Sequence, residues 1–124
     1  MKVLETTKAP GAIGPYSQGY EVNGFVFTSG QIPVDPATGQ VVEATIQAQT
    51  TQSLTNVKNI LEAAGASLDN VVKTTVFLKD MNDFVEMNRV YNTFFQTDCP
   101  ARAAIQVARL PKDVMVEIEA IAVL

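Results

Sequence analysis

The chain has 124 residues, with 9 Lys and Arg against 13 Asp and Glu, no His, and a formal net charge of -4. With 47% apolar and 18% charged residues it is a globular chain, read as one domain over 1–124 and not as a disordered segment. The acidic balance, without a Lys/Arg-rich run, excludes a nucleic-acid partner held by phosphate neutralisation. Absence of His also excludes Ser–His and Cys–His dyads and histidine metal sites.

The start, Met1-Lys2-Val3-Leu4-Glu5, lacks the apolar core of a signal peptide. No apolar run approaches the ~20 residues that span a bilayer. The lone Cys99 rules out an internal disulfide. The expected compartment is the cytoplasm, with no membrane partner.

In chain order, the first predicted elements are strands at Tyr20–Val22 and Phe25–Thr28, joined by Asn23-Gly24, a strong hairpin signal. Ser29-Gly30-Gln31-Ile32-Pro33 follows, then a turn at Asp35-Pro36-Ala37-Thr38-Gly39. Residues 44–64 read as a helix: Ile46, Thr50, Leu54, Val57, Leu61 and Ala64 recur at helical spacing, and Gly65 suits the C′ position. Val71–Lys79, rich in Val, Thr and Phe, reads as a strand. Residues 83–95 read as a second helix, with Phe84, Met87, Tyr91 and Phe94 on one face and Asp80 or Asn82 near its cap. Two strands, within Cys99–Val107 and Val114–Leu124, complete the order ββ-α-β-α-ββ.

Two helices cover one face of such a sheet. Yet several strands look apolar on both faces. In the middle strand Val72, Val76 and Leu78 are assigned to one side, Val71 and Phe77 to the other. In the last, Val116, Ile118 and Ala120 alternate with Met115, Ile121 and Val123. A sheet face open to water should be polar, so the second face is expected to meet another subunit.

Arg102 is the leading candidate site residue, because a charge in a buried strand is costly unless paired. It shares a strand face with Ala104 and Gln106. If Val107 pairs with Val114 across a connecting loop, Arg102 lies opposite Glu119 and Ala104 opposite Glu117, so that both glutamates point to Arg102. A one-residue slip would send them to the other face. The arrangement fits a pocket for a small carboxylate, and equally a cross-strand salt bridge.

Tyr16, after the rigid Gly14-Pro15 turn, can hydrogen-bond a ligand or simply pack at a strand start. Gly30 can let a backbone N–H approach a ligand, or mark a bulge at a sheet rim. Asn88 and Tyr91 read as a polar edge and a core position of the second helix. Cys99 has no basic neighbour in sequence and is not a nucleophile candidate. Gly-rich phosphate loops, CxxC pairs and metal-ligand clusters are missing.

Taken in order, Ala12-Ile13-Gly14-Pro15-Tyr16-Ser17-Gln18, Ser29-Gly30-Gln31-Ile32-Pro33, Pro100-Ala101-Arg102 and Ala108-Arg109-Leu110-Pro111-Lys112-Asp113 leading into Val116-Glu117-Ile118-Glu119-Ala120 form a specific set. On these motifs the chain resembles the RidA/YjgF family of reactive intermediate deaminases over nearly its whole length. The resemblance implies a chorismate-mutase-like α+β fold, with two helices on one face of a mixed sheet. It implies a homotrimer whose sheets form a central barrel with interface clefts. It implies hydrolysis of enamine/imine intermediates such as 2-aminoacrylate and 2-aminocrotonate to 2-keto acids and ammonia, without cofactor or metal.

By position, Arg102 resembles the family arginine that grips the substrate carboxylate. Glu117 resembles the glutamate that positions or activates water, and Tyr16 the cleft tyrosine. Gly30 and Ala104 resemble the backbone contributors, and Asn88 a polar position near the cleft. Many bacterial members carry Cys where this chain has Ala104, so no thiol acts there. Other readings are a non-catalytic module that binds keto acids or similar carboxylates, and the ribonuclease or translation-inhibitor role ascribed to some family members. The acidic charge and missing His argue against the latter. Chorismate-mutase activity would need more cations than Arg102 alone.

Overall fold

A computed structural model describes residues 1–124. The elements are β1 (Lys2–Leu4), β2 (Gly19–Val22), β3 (Phe25–Thr28), β4 (Val34–Asp35), β5 (Gln40–Val41), α1 (Ile46–Ala63), β6 (Val71–Leu78), α2 (Phe84–Phe94), β7 (Ala101–Gln106) and β8 (Val116–Val123). Six strands form one sheet in the order β1-β2-β3-β8-β6-β7, and β4 and β5 make a small separate ribbon. All neighbours in the large sheet are antiparallel except β6 and β7, which run parallel because α2 carries the chain back across the sheet. The architecture is α+β, as the sequence predicts.

Local chemistry explains the elements. Asn23 and Gly24 both adopt positive φ, 51° and 80°, as a two-residue hairpin requires. Thr45 caps α1 by accepting from the Ala48 N–H at 3.1 Å. At the other end Gly65 sits at φ 77°, the Ala66 N–H reaches the Leu61 carbonyl, and the Gly65 N–H reaches that of Glu62. Asp80 caps a single 3₁₀ turn at Met81–Asp83 that precedes α2, while α2 itself begins without a side-chain cap.

The core lies between the sheet and the two helices. Leu54, Val57, Ile60 and Leu61 of α1 and Met87 and Tyr91 of α2 pack on Val76 and Leu78 of β6 and on alternate residues of β8 (Val116, Ile118, Ala120, Ala122). The alternation expected for the last strand therefore holds. In β6 the expected phase fails at one end. Val71 is buried with Val76 and Leu78, and Val72 is the exposed residue, because a bulge between Val71 and Lys73 shifts the pleat.

The other face of the sheet is bare. Val3, Tyr20, Phe27 and Ile121 form one row across β1, β2, β3 and β8, and Phe25 and Val123 pair beside it. Val3, Tyr20, Phe25, Phe27, Ile105 and Val123 are all exposed. This is the doubly apolar sheet that the strand patterns indicate. No helix is long and apolar enough to cross a membrane.

The largest correction concerns the last two strands. They are not neighbours: β6 lies between them. Arg102 pairs with Thr74, and Thr74 in turn with Ala120. Glu117 is level with Phe77, and Glu119 with Thr75. Val107 continues along β6 through its N–H to the Leu78 carbonyl, and Val114 closes a turn with Pro111. The expected Val107–Val114 pairing does not form.

Candidate active site

The consequence is that Arg102 and Glu117 project from opposite faces of the sheet. Arg102 follows Thr74 and Ala120 onto the helix side, while Glu117 and Glu119 follow Phe77 and Thr75 onto the bare side. Neither the shared pocket nor the Arg102–glutamate salt bridge forms within one chain. The only ion pairs are Arg89–Glu86 and Arg109–Asp113, both on the surface. The candidate residues fall into two groups instead.

The first group surrounds Arg102, half-buried on the edge strand β7. Its Nη1 donates to Asn88 Oδ1 at 2.8 Å, the one hydrogen bond of the guanidinium in the chain. The guanidinium lies 4.7 Å from the Tyr91 ring centroid and 5.4 Å from that of Phe84. Tyr91 is fixed in turn by a 2.7 Å hydroxyl contact with Thr74 and by the Phe95 ring, 4.8 Å away. Burial pushes the Tyr91 phenol up, opposed by the Thr74 bond and the Arg102 charge. Two aromatic walls and a neutral amide thus orient a guanidinium without neutralising it. Asn88, Tyr91 and Arg102 also line an open cleft with Cys99 and Pro100. Ala104, one step along the same strand face, packs against the core.

The second group surrounds Gly30. The Glu117 carboxylate lies directly against this residue: a Cβ there would be 2.7 Å from Oε1 and 2.9 Å from Cδ. The Gly30 N–H donates to no group in the chain, although its neighbours are tied down, Ser29 to Gln18 and Gln31 to Ile118. Gly30 and Tyr16 line one cleft of about 200 Å³ with Ile13, Gln31 and Lys112. The Tyr16 hydroxyl accepts only a long 3.4 Å bond from the Ile13 N–H. Half-burial raises the Glu117 carboxyl above the ordinary carboxylate range, and the nearby Glu119 charge raises it further.

The structure therefore sets Gly30 against Glu117 and, on a shared cleft, beside Tyr16, and separately places Arg102 by Asn88, with Ala104 on the same strand face. Phe84 and Tyr91 were legible only as helix-face residues. Their 84, 88, 91 spacing puts both with Asn88 on one face of α2, but nothing in the sequence aims that face at Arg102. Lys112 reaches the Tyr16–Gly30 cleft from a residue with φ of 55°, a conformation that sequence does not announce. No three His, Cys, Asp or Glu side chains converge as a metal site requires.

This is a small α+β protein with one bare sheet face and a candidate site divided between an unpaired arginine and a half-buried glutamate. The chain is similar to known proteins over nearly its whole length. The family model described as Endoribonuclease L-PSP matches residues 6–124. A 2-iminobutanoate/2-iminopropanoate deaminase of Salmonella typhimurium is 57% identical over 125 residues, covering 98% of this chain and 97% of its own. Its mouse namesake is 55% identical over 122 residues, covering 98% and 90%. Among solved structures, E. coli TdcF with bound serine superposes with a TM-score of 0.96 at 55% identity, covering 100% of this chain and 99% of its own. The chain belongs to the RidA/YjgF family, whose chorismate-mutase-like fold it has.

Proposed function

We propose that this protein is a cytoplasmic 2-iminobutanoate/2-iminopropanoate deaminase of one domain, working as a homotrimer. It hydrolyses 2-aminoacrylate and 2-aminocrotonate, through their imine tautomers, to pyruvate or 2-oxobutanoate and ammonia. The observation that carries this reading is Arg102: a half-buried guanidinium, held by Asn88 and two rings, with no acidic partner in its own chain. Such a group suits a bidentate bond to a substrate carboxylate. The family names point the same way, and serine, bound in TdcF, is an α-amino carboxylate of similar size.

The chemistry is modest. The imine carbon is already electrophilic, so the site must orient the substrate, activate one water and manage protons. Arg102 holds the carboxylate. Glu117 takes a proton from water as its oxygen adds to C2 and passes that proton to the nitrogen, giving a neutral carbinolamine. It then takes the hydroxyl proton as the C=O forms and delivers it to the departing nitrogen, so ammonia leaves and the carboxylate is regenerated. The Tyr16 hydroxyl and the free Gly30 N–H bind around the reacting centre, with the Ala104 backbone beside Arg102. Because Arg102 and Glu117 occupy opposite faces of one sheet, they meet only when the edge of one subunit docks beside the Gly30 cleft of the next. The bare apolar face supplies the reason for that assembly.

The test is to generate both enamines in situ, with a dehydratase acting on serine and threonine, and follow keto-acid appearance. Acceleration by this protein is expected. No acceleration by a correctly assembled protein would leave a module that binds small carboxylates without turnover.

Gly30→Ala probes the second group. Gly30 does not have positive φ, so alanine fits the backbone, but its Cβ displaces the Glu117 carboxylate. A shift of about 1 Å costs roughly 10²-fold in rate. We expect that loss in kcat with little change in Tm, read by steady-state kinetics and a thermal melt. Unchanged kinetics would remove the Gly30–Glu117 contact from the site.

A further inference from the structure

Helix α1 buries a polar stripe where a core helix should be apolar. Gln49, Thr50, Ser53 and Asn56 are each 2% exposed or less. Buried polar groups are kept where they satisfy something specific. Thr50 and Ser53 have no partner for their hydroxyls. Gln49 and Asn56 do, and their partners are telling.

Asn56 Nδ2 donates to the carbonyls of Ile32 at 3.2 Å and Val34 at 3.0 Å, two and four residues beyond Gly30. Its Oδ1 accepts from Gln52 at 2.8 Å, which directs the amide nitrogen at those carbonyls. Gln49 Oε1 accepts from the Met115 N–H at 2.8 Å, two residues before Glu117. The two clamped segments also hold each other: the Gln31 N–H reaches the Ile118 carbonyl at 2.8 Å, and the Ile118 N–H reaches that of Gln31 at 3.1 Å. The segments bearing Gly30 and Glu117 are thus bonded both to each other and to one rigid helix.

We propose that Asn56 and Gln49 are positioning residues, which set the approach of the Glu117 carboxylate to Gly30 from beneath the site. Neither touches the candidate site. They act through the main chain of residues 32–34 and 115. The consequence for catalysis rests on the deaminase reading above, whereas the consequence for Glu117 does not.

The experiment compares Asn56→Leu, Gln49→Met, Gln49→Glu and Thr50→Val with wild type, well below each Tm. Two readouts are taken: kcat and KM for the enamine, and the titration of the Glu117 side-chain carboxyl by ¹³C NMR. Asn56→Leu and Gln49→Met should each lose about tenfold or more in kcat with KM nearly unchanged, since Arg102 is untouched. In both, Glu117 should titrate closer to an ordinary carboxylate. Gln49→Glu keeps an acceptor for the Met115 N–H and should restore most of the kcat lost in Gln49→Met. Thr50→Val removes a hydroxyl with no partner and should match wild type.

Folded Asn56→Leu and Gln49→Met proteins with wild-type kcat and Glu117 titration overturn the proposal. So does an equal loss in Thr50→Val, which would mean that any change in the stripe disturbs the site. If Asn56→Leu does not fold, the Gln49 pair decides. If wild type shows no turnover, the deaminase reading fails and the Glu117 titration alone decides this one.

Discussion

Arg102→Ala is expected to lower kcat/KM for 2-aminoacrylate by between about 30- and 5,000-fold. Truncating one partner of a desolvated charge pair costs roughly 2–5 kcal/mol, which sets that range. The loss should fall mainly on KM, because the carboxylate is held alike in ground and transition states. The guanidinium makes one hydrogen bond in its own chain and no ion pair, so its removal strands no buried acid. The stability cost is limited to its hydrogen bond to Asn88 and its contacts with Tyr91 and Phe84, on the order of 1–3 kcal/mol. Arg102→Lys keeps the charge but loses the planar fork and should recover only part of the rate. Kinetics on the three proteins, with circular dichroism to check folding, decide the matter. An Arg102→Ala protein within about threefold of wild type would end the role of carboxylate clamp, since a single charge-assisted hydrogen bond is worth more than that.

How much of this was legible in the sequence depends on distance along the chain. Asn23-Gly24 and Gly65 act on their immediate neighbours, and the elements they bound appear where the pattern puts them; the Thr45 cap of α1 emerges only in the structure. Three-residue β1 offers no period to read, and the two-residue strands β4 and β5 only flank the turn that was expected. The bulge at Val71–Lys73 inverts which valine is buried, because counting in twos assumes an unbroken pleat. Pairing β7 directly with β8 treated consecutive strands as neighbours, which holds only about two-thirds of the time. Their connection contains Pro111 and two positive-φ residues, Lys112 and Asp113, and closes a turn of its own instead of a hairpin.

That one error mattered most for the site. Arg102, Glu117, Tyr16 and Gly30 are candidates by residue type and motif, but their mutual placement is a property of the sheet order. With β6 interposed, Arg102 goes to the helix side and Glu117 to the bare side. The two-faced apolar pattern had already called for a second subunit. The same apolar face is what the proposed assembly would use to bring the divided groups together.

Glu117→Gln gives the sharpest test of that division. Alone, it should lower kcat by about 10²- to 10⁴-fold, the usual worth of a general base, with KM little changed. It should also raise Tm at neutral pH. Burial and the Glu119 charge hold the folded carboxyl above its unfolded value. Stability from that proton is present below the unfolded value and lost as pH rises through the folded one, so above the folded value the ionised glutamate is a burden that glutamine lacks. In wild type, activity should fall on acidification as the base is protonated. Unfolding and reassembling equal amounts of the two inactive variants, Arg102→Ala and Glu117→Gln, should then restore activity. At random assembly about a quarter of the interfaces of a cyclic trimer join an intact Arg102 to an intact Glu117, and the recovered rate should approach that fraction of wild type. A site contained in one chain predicts no recovery at any mixing ratio, because every chain in the mixture lacks one of the two groups.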